Sequence, residues 1–311
     1  MTKTPGPLLH QAHRIAEPDC TIAETPVWDA KTGQVTWVDT PGGAVYRYTL
    51  SDGKMERFAL SLKVGSMALV SSGRFIASTE RGFAIMTIGA DGLEFDAGFG
   101  PQLTGGWRMN DGACDRQGRF WSGTMAPDTS APDAWGSLHS IDRHAVVTDR
   151  GGQFRSQNGL AWSPDSRTMY VSDSHPSNPH ILAYDFDADT GRIFNGRLFA
   201  DQAALGGRPD GAAIDTDGCY WIAASDSGRI VRMTPEGRID AEIHVDVPNP
   251  TNICFVGPDL RSAFITTLKA GGVGPGGAVY LVEDLPYQGL AEPTFRCADD
   301  WPAPSGGTDP R

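Results

Sequence analysis

The chain of 311 residues is short of bases, short of cysteine and without long apolar runs. Each shortage excludes something. No stretch is long and apolar enough to span a bilayer as a helix. Met1 to Cys20 holds no apolar core of the secretory-signal kind, so the expected location is cytoplasmic. The five cysteines, Cys20, Cys114, Cys219, Cys254 and Cys297, are odd in number and lack metal-type spacing, which reads as reduced thiols. Lysine and arginine total 26 against 38 acidic residues, a net charge of -12. Such a surface repels nucleic acid and anionic membrane, so neither is an expected partner; protein partners are left open. There is no Gly-x-Ser-x-Gly elbow, no phosphate loop and no dinucleotide fingerprint. Helix-period apolar patterning is nearly absent, with one short turn expected at Asp201–Leu205.

What is abundant is punctuation: 38 glycines and 22 prolines, as expected for many short strands joined by tight turns. One phrase recurs: a polar opening residue, a short apolar run, an Asp-x-x-Gly-like turn, then an aromatic β pair. It runs from Glu24-Thr25-Pro26-Val27-Trp28 to Trp37, from Asn110-Asp111-Gly112 to Phe120-Trp121, from Asn158-Gly159-Leu160 to Tyr170, and from Asp210-Gly211 to Tyr220-Trp221. Weaker copies open at Ser66 and Asn252. Their spacing of roughly 40 to 50 residues is that of propeller blades. Alternating runs between the copies, such as Ala44–Tyr48, Ile181–Phe186 and Val279–Val282, supply further strands. The expectation is an all-β chain, one six-bladed β-propeller with four-stranded blades spanning 1–311. A pair of β-sandwiches is the rival, disfavoured because sandwiches need no fixed period. Leu9–Ile15 is expected to complete the last blade, and 301–311 to be a loose tail.

The opening residues Glu24, Ser66, Asn110, Asn158, Asp210 and Asn252 share one phase of the repeat. At the start of each innermost strand, equal phase brings them to one mouth of the central channel. The set carries two carboxylates, three amides and a hydroxyl, hard oxygen donors that suit Ca²⁺, Mg²⁺ or Mn²⁺. Taken singly, Asn158-Gly159 and Asp210-Gly211 are also ordinary turn pairs, and Glu24 an ordinary loop acid; the shared phase favours a site. Arg108 shares a strand face with Asn110, so its guanidinium either aims into the channel mouth or makes a surface ion pair. Asp173 either supports the site from behind or ends its strand.

In Ala23-Glu24-Thr25-Pro26-Val27-Trp28, Arg108 to Gly112, Gly123-Thr124-Met125, Asn158-Gly159-Leu160, Tyr170 to Ser174 and Pro209-Asp210-Gly211, the chain resembles the senescence-marker-protein, regucalcin and gluconolactonase family of six-bladed propellers. That resemblance implies one divalent cation bound by Glu24, Asn158 and Asp210, with Ca²⁺ foremost and Mg²⁺, Mn²⁺, Zn²⁺ or Fe²⁺ as alternatives. It implies that Asn110 contacts substrate or reaches the metal through water, and that Arg108 and Asp128 contact sugar. Pro127, just before Asp128, departs from the family pattern.

The expected reaction is metal-dependent hydrolysis of a sugar lactone, gluconolactone-like, to the aldonic acid. The cation serves as Lewis acid and Asp210 as general base, with a metal-bound hydroxide acting alone as the alternative. The alternatives are phosphotriester hydrolysis on the same propeller and a non-catalytic calcium-binding propeller.

Overall fold

The computed structural model describes residues 6–89, 92–298 and 301. Its strands form six antiparallel four-stranded units in a ring, the expected six-bladed propeller. The inner strands are Ala23–Asp29, Val64–Ser71, Arg108–Cys114, Gln157–Trp162, Arg208–Ile214 and Pro250–Val256, opening blades one to six. Each packs against the inner strand of the next blade, and the sixth returns to the first.

The recurring phrase has a direct physical cause. The turn aspartate ties the hairpin to the aromatic strand behind it. Asp115 accepts from the backbone N–H of Gln117 and Arg119, both at 3.0 Å, and from Trp121 Nε1 at 2.9 Å. Asp215 repeats this with Asp217 N, Cys219 N and Trp221 Nε1. The aromatics then fill the seams between blades. Trp37 packs with Phe264 of blade six, Trp121 with Trp162 of blade four, and Tyr170 stacks on Tyr220 of blade five. Full burial of one such ring stabilises the fold by about 2–3 kcal/mol, so the seams lock the ring.

The closure differs in detail from expectation, because the N-terminal segment divides. Leu8–Gln11 adds a parallel fifth strand to blade five. His13–Ala16 pairs antiparallel with Val279–Val282 and supplies the fourth strand of blade six. One segment therefore straps two blades. Asp201 caps a short α-helix, Gln202–Leu205, at the expected place.

The C-terminal segment crosses the far end of the channel, bonding Leu290 N to Ile214 O, Phe295 N to Leu69 O and Arg296 N to Gly118 O. Trp301, expected in a loose tail, packs edge-on against Phe99 and Phe295. Residues 302–311 lie outside the described residues. Cys20, Cys114, Cys219 and Cys254 are buried thiols. Among the described residues no helix is long and apolar enough to cross a membrane.

Candidate functional site

Every inner strand slips its ladder register at its first residues. The irregularities fall at Glu24/Val27, Val64/Ser66, Met109/Gly112, Asn158/Ala161, Pro209/Ala212 and Pro250/Asn252. A bulge re-aims the local side chain and strengthens twist, so each blade turns its opening residue relative to the rest of its strand. Backbone conformation fits this role: Gly159 has φ +62° and Thr25 +48°. Small residues are also required because the inner strands crowd together. A Cβ on Gly211 would lie 2.0 Å from the Asn252 side chain, and one on Gly65 2.4 Å from the Met109 carbonyl oxygen.

These strands surround a cavity of about 480 Å³ at one end of the channel. Glu24, Asn110, Asn158, Asp210 and Arg108 all line it, so five of the six predicted site residues meet there. Asp128 does not. It lies exposed on the loop after Phe120–Met125, accepting from the N–H and Oγ of Ser130, while its neighbour Pro127 lines the cavity. Of the remaining phase-mates, Ser66 is fully buried against Ser78 Oγ at 2.7 Å. Asn252 stands behind Glu24, donating to its Oε2 at 3.3 Å.

Asn158 is held from both sides. Its Nδ2 donates to Ser174 Oγ at 2.6 Å, and its Oδ1 accepts from Asn110 Nδ2 at 3.1 Å. Ser174 in turn donates to the Pro209 carbonyl beside Asp210. The amide orientation is thereby fixed with its oxygen toward Asn110. Asp173, the neighbour of Ser174, accepts from the backbone N–H of Arg155, Ser156 and His175. It anchors the approach to Asn158, which combines the two roles open to it from sequence.

Among the described residues Arg108 makes no ion pair. Its Nη1 donates to Asn110 Oδ1 at 2.7 Å and to the Met109 carbonyl at 3.0 Å. Burial lowers its pKa to about 10, an effect that nearby Glu24 opposes.

Three carboxyl groups share the cavity. Burial first and then Asp111 push Glu24 up to about 8. Burial and then Glu24 push Asp210 well above the carboxylate range. Among the described residues no hydrogen-bond donor meets the Asp210 carboxylate, although the residue is buried. Asp111, raised to about 6 by burial, was missed in the sequence. It follows Asn110 in the motif and reads there as turn chemistry, yet it lines both this cavity and the small void beneath.

A divalent cation fits this donor set. It would answer the unpartnered Asp210 carboxylate and the charge repulsion with Glu24, and Asn158 offers a fixed neutral oxygen. Among the described residues no cluster of three or more His, Cys, Asp or Glu forms a metal cage; the predicted set has only two carboxylates and an amide.

A family model described as the SMP-30/Gluconolactonase/LRE-like region matches residues 22–269. The chain is 34% identical over 255 residues to a 6-deoxy-6-sulfogluconolactonase of Pseudomonas putida, covering 80% of this chain and 84% of that protein. It is 30% identical to the regucalcin of Xenopus laevis over 88% of this chain and 94% of the relative. A solved luciferin-regenerating enzyme superposes with a TM-score of 0.82 at 30% identity, over 92% of this chain and 99% of that one. The chain belongs to the SMP-30/gluconolactonase/LRE-like family.

Proposed function

We propose that this family member is a metal-dependent lactonase that opens a sugar lactone to its aldonic acid. The observation that carries the reading is the Asp210 carboxylate, buried at the channel mouth beside Glu24 with no hydrogen-bond donor among the described residues. A buried, unpaired carboxylate is costly, and a cation together with a reacting water gives it a purpose. The relative in Pseudomonas putida is named for a sugar lactone, which agrees with this reading.

Glu24, Asn158 and Asp210 would hold one divalent cation, with calcium the first candidate. When bound, it polarises the lactone carbonyl. The remaining chemistry belongs to the side chains. Asp210 takes a proton from water as the water oxygen bonds to the carbonyl carbon, and the carbonyl π pair moves onto oxygen. Collapse breaks the ring C–O bond, and Asp210 returns the proton to the departing ring oxygen. Asn110 is fixed by Arg108 and by its bond to the Gln157 carbonyl at 2.7 Å, so it presents an ordered amide to substrate hydroxyls. Arg108 lines the same space.

The test is base consumption across a panel of sugar lactones and one phosphotriester, with calcium and with chelator, beside elemental analysis. Calcium-dependent opening of sugar lactones is expected. Full activity in chelator with no bound metal would overturn the metal assignment; turnover of the phosphotriester alone would overturn the lactonase reading.

A further inference from the structure

Blade three carries an aromatic side chain that neither the core nor the reaction uses. Arg108, at the cavity, pairs with Met125, so Phe120–Met125 ends at that level and the loop of residues 126–135 leaves from the cavity end of the blade. Trp135 closes this loop. Seven of the eight tryptophans are buried or half-buried, whereas Trp135 is 47% exposed. It takes no part in the clusters that fill the flanking seams. Its indole is nevertheless held in place. The Arg155 guanidinium lies 4.2 Å from the ring centroid, and Arg155 Nη1 donates to the carbonyls of Thr129 and Ala131, both at 2.7 Å. The loop also bonds to itself, from Ala134 N to Ala131 O and from Trp135 N to Asp133 O. Arg155 therefore backs one face of the indole and leaves the rest of the ring to solvent. An aromatic ordered in this way offers contact area at little entropic cost.

Both supports of this ring adjoin the cavity wall. Pro127, at the start of the loop, and Ser156, next to Arg155, line the cavity, so Trp135 and Arg155 continue its wall outward onto the rim. The cavity itself, about 480 Å³, is of the size that takes ligands larger than one sugar ring. The reacting carbonyl belongs at Glu24, Asn158 and Asp210. In a six-membered aldonolactone the 4-hydroxyl lies across the ring from that carbonyl, so a substituent there leaves through the mouth toward the rim. The C–H face of a second pyranose ring suits the open indole, through apolar area and dispersion rather than charge. We propose that the lactone accepted here is that of a 4-linked disaccharide aldonic acid, and that its second sugar ring stacks on Trp135. This rests on the lactonase reading and names its substrate class.

The probes are glucono-1,5-lactone, with one ring, and cellobiono- and maltobiono-1,5-lactone, which add a second ring in the β and the α linkage. The calcium-loaded enzyme should show a higher kcat/KM on one of the two disaccharide lactones than on gluconolactone. Trp135→Ala should lose roughly fivefold on that lactone, the scale of one stacked ring, and keep its rate on gluconolactone. Trp135→Phe, which retains an aromatic face, should recover most of the loss. Preference for gluconolactone over both disaccharides, or equal losses on one ring and two, would overturn the proposal. Calorimetric binding of the open acids, gluconate, cellobionate and maltobionate, gives a readout independent of turnover. Tighter binding of a disaccharide acid that depends on Trp135, with no lactone opened, would keep the second sugar site and sink the lactonase reading. If neither disaccharide acid binds more tightly than gluconate, or if Trp135→Ala leaves the difference unchanged, the second sugar site is refuted whatever the turnover.

Discussion

Replacing Asp210 by asparagine separates its two assigned roles. The variant keeps an oxygen at the cavity wall but loses the proton acceptor and one of the two charges that face the cation. Metal affinity should fall, since only Glu24 then supplies a formal charge. A general base contributes roughly 10² to 10⁴-fold in rate, about 3–5 kcal/mol of transition-state stabilisation. The structure offers no ready substitute. Glu24 already accepts from Thr25 N and Asn252, and Asp111 is turned toward the backbone of Leu160 at 3.5 Å. The deficit in kcat should therefore persist at saturating calcium. Metal-free Asp210→Asn should also be more stable than the parent near neutral pH, because one buried carboxyl with a raised pKa has gone. The assay is base consumption during a calcium titration, with melting in chelator alongside. Near-full kcat at high calcium would show that Asp210 is a ligand only and refute its assignment as base.

Three further outcomes follow from the same geometry. Glu24 has a folded pKa of about 8 against an ordinary 4.5, so the metal-free fold holds its proton longer than the unfolded chain does. Its contribution is fully present below pH 4.5 and lost as pH rises through 8; melting in chelator should be lower at pH 8 than at pH 5, calcium should remove the slope, and a flat chelator profile would contradict this. Ser174→Ala frees the Asn158 amide and should weaken calcium binding about 10 to 100-fold with the fold intact, measured by calorimetry; unchanged affinity would deny Ser174 a positioning role. Gly211→Ala drives a methyl into Asn252, which supports Glu24; a loss of about 1–3 kcal/mol in denaturant unfolding together with weaker metal binding is expected, and a neutral result would show that the inner strands can move apart.

Much of this protein is written along the chain because its fold is a repeat. A blade is local, so the Asp-x-x-Gly turn and the aromatic that its aspartate anchors recur as a readable phrase, and their shared phase brings Glu24, Asn110, Asn158 and Asp210 toward one channel mouth. The sequence by itself thus determined the blade count, the ring and the meeting of these four residues around one cavity. Other features depended on contacts between blades. Ser66 and Asn252 have the right phase, but close packing of the inner strands buries one against Ser78 and sets the other behind Glu24. Asp111 looks like turn chemistry until the bulge after Met109 places it between the cavity and the void beneath. Asp128 sits beside a lining proline yet turns to Ser130, since a loop carboxylate takes the nearest donors. Ser174 orients Asn158 and bonds the Pro209 carbonyl of the next blade, and the N-terminal segment divides between blades five and six. Periodicity reports what a residue does within its own blade; only closure of the ring decides which neighbour it meets across the seam.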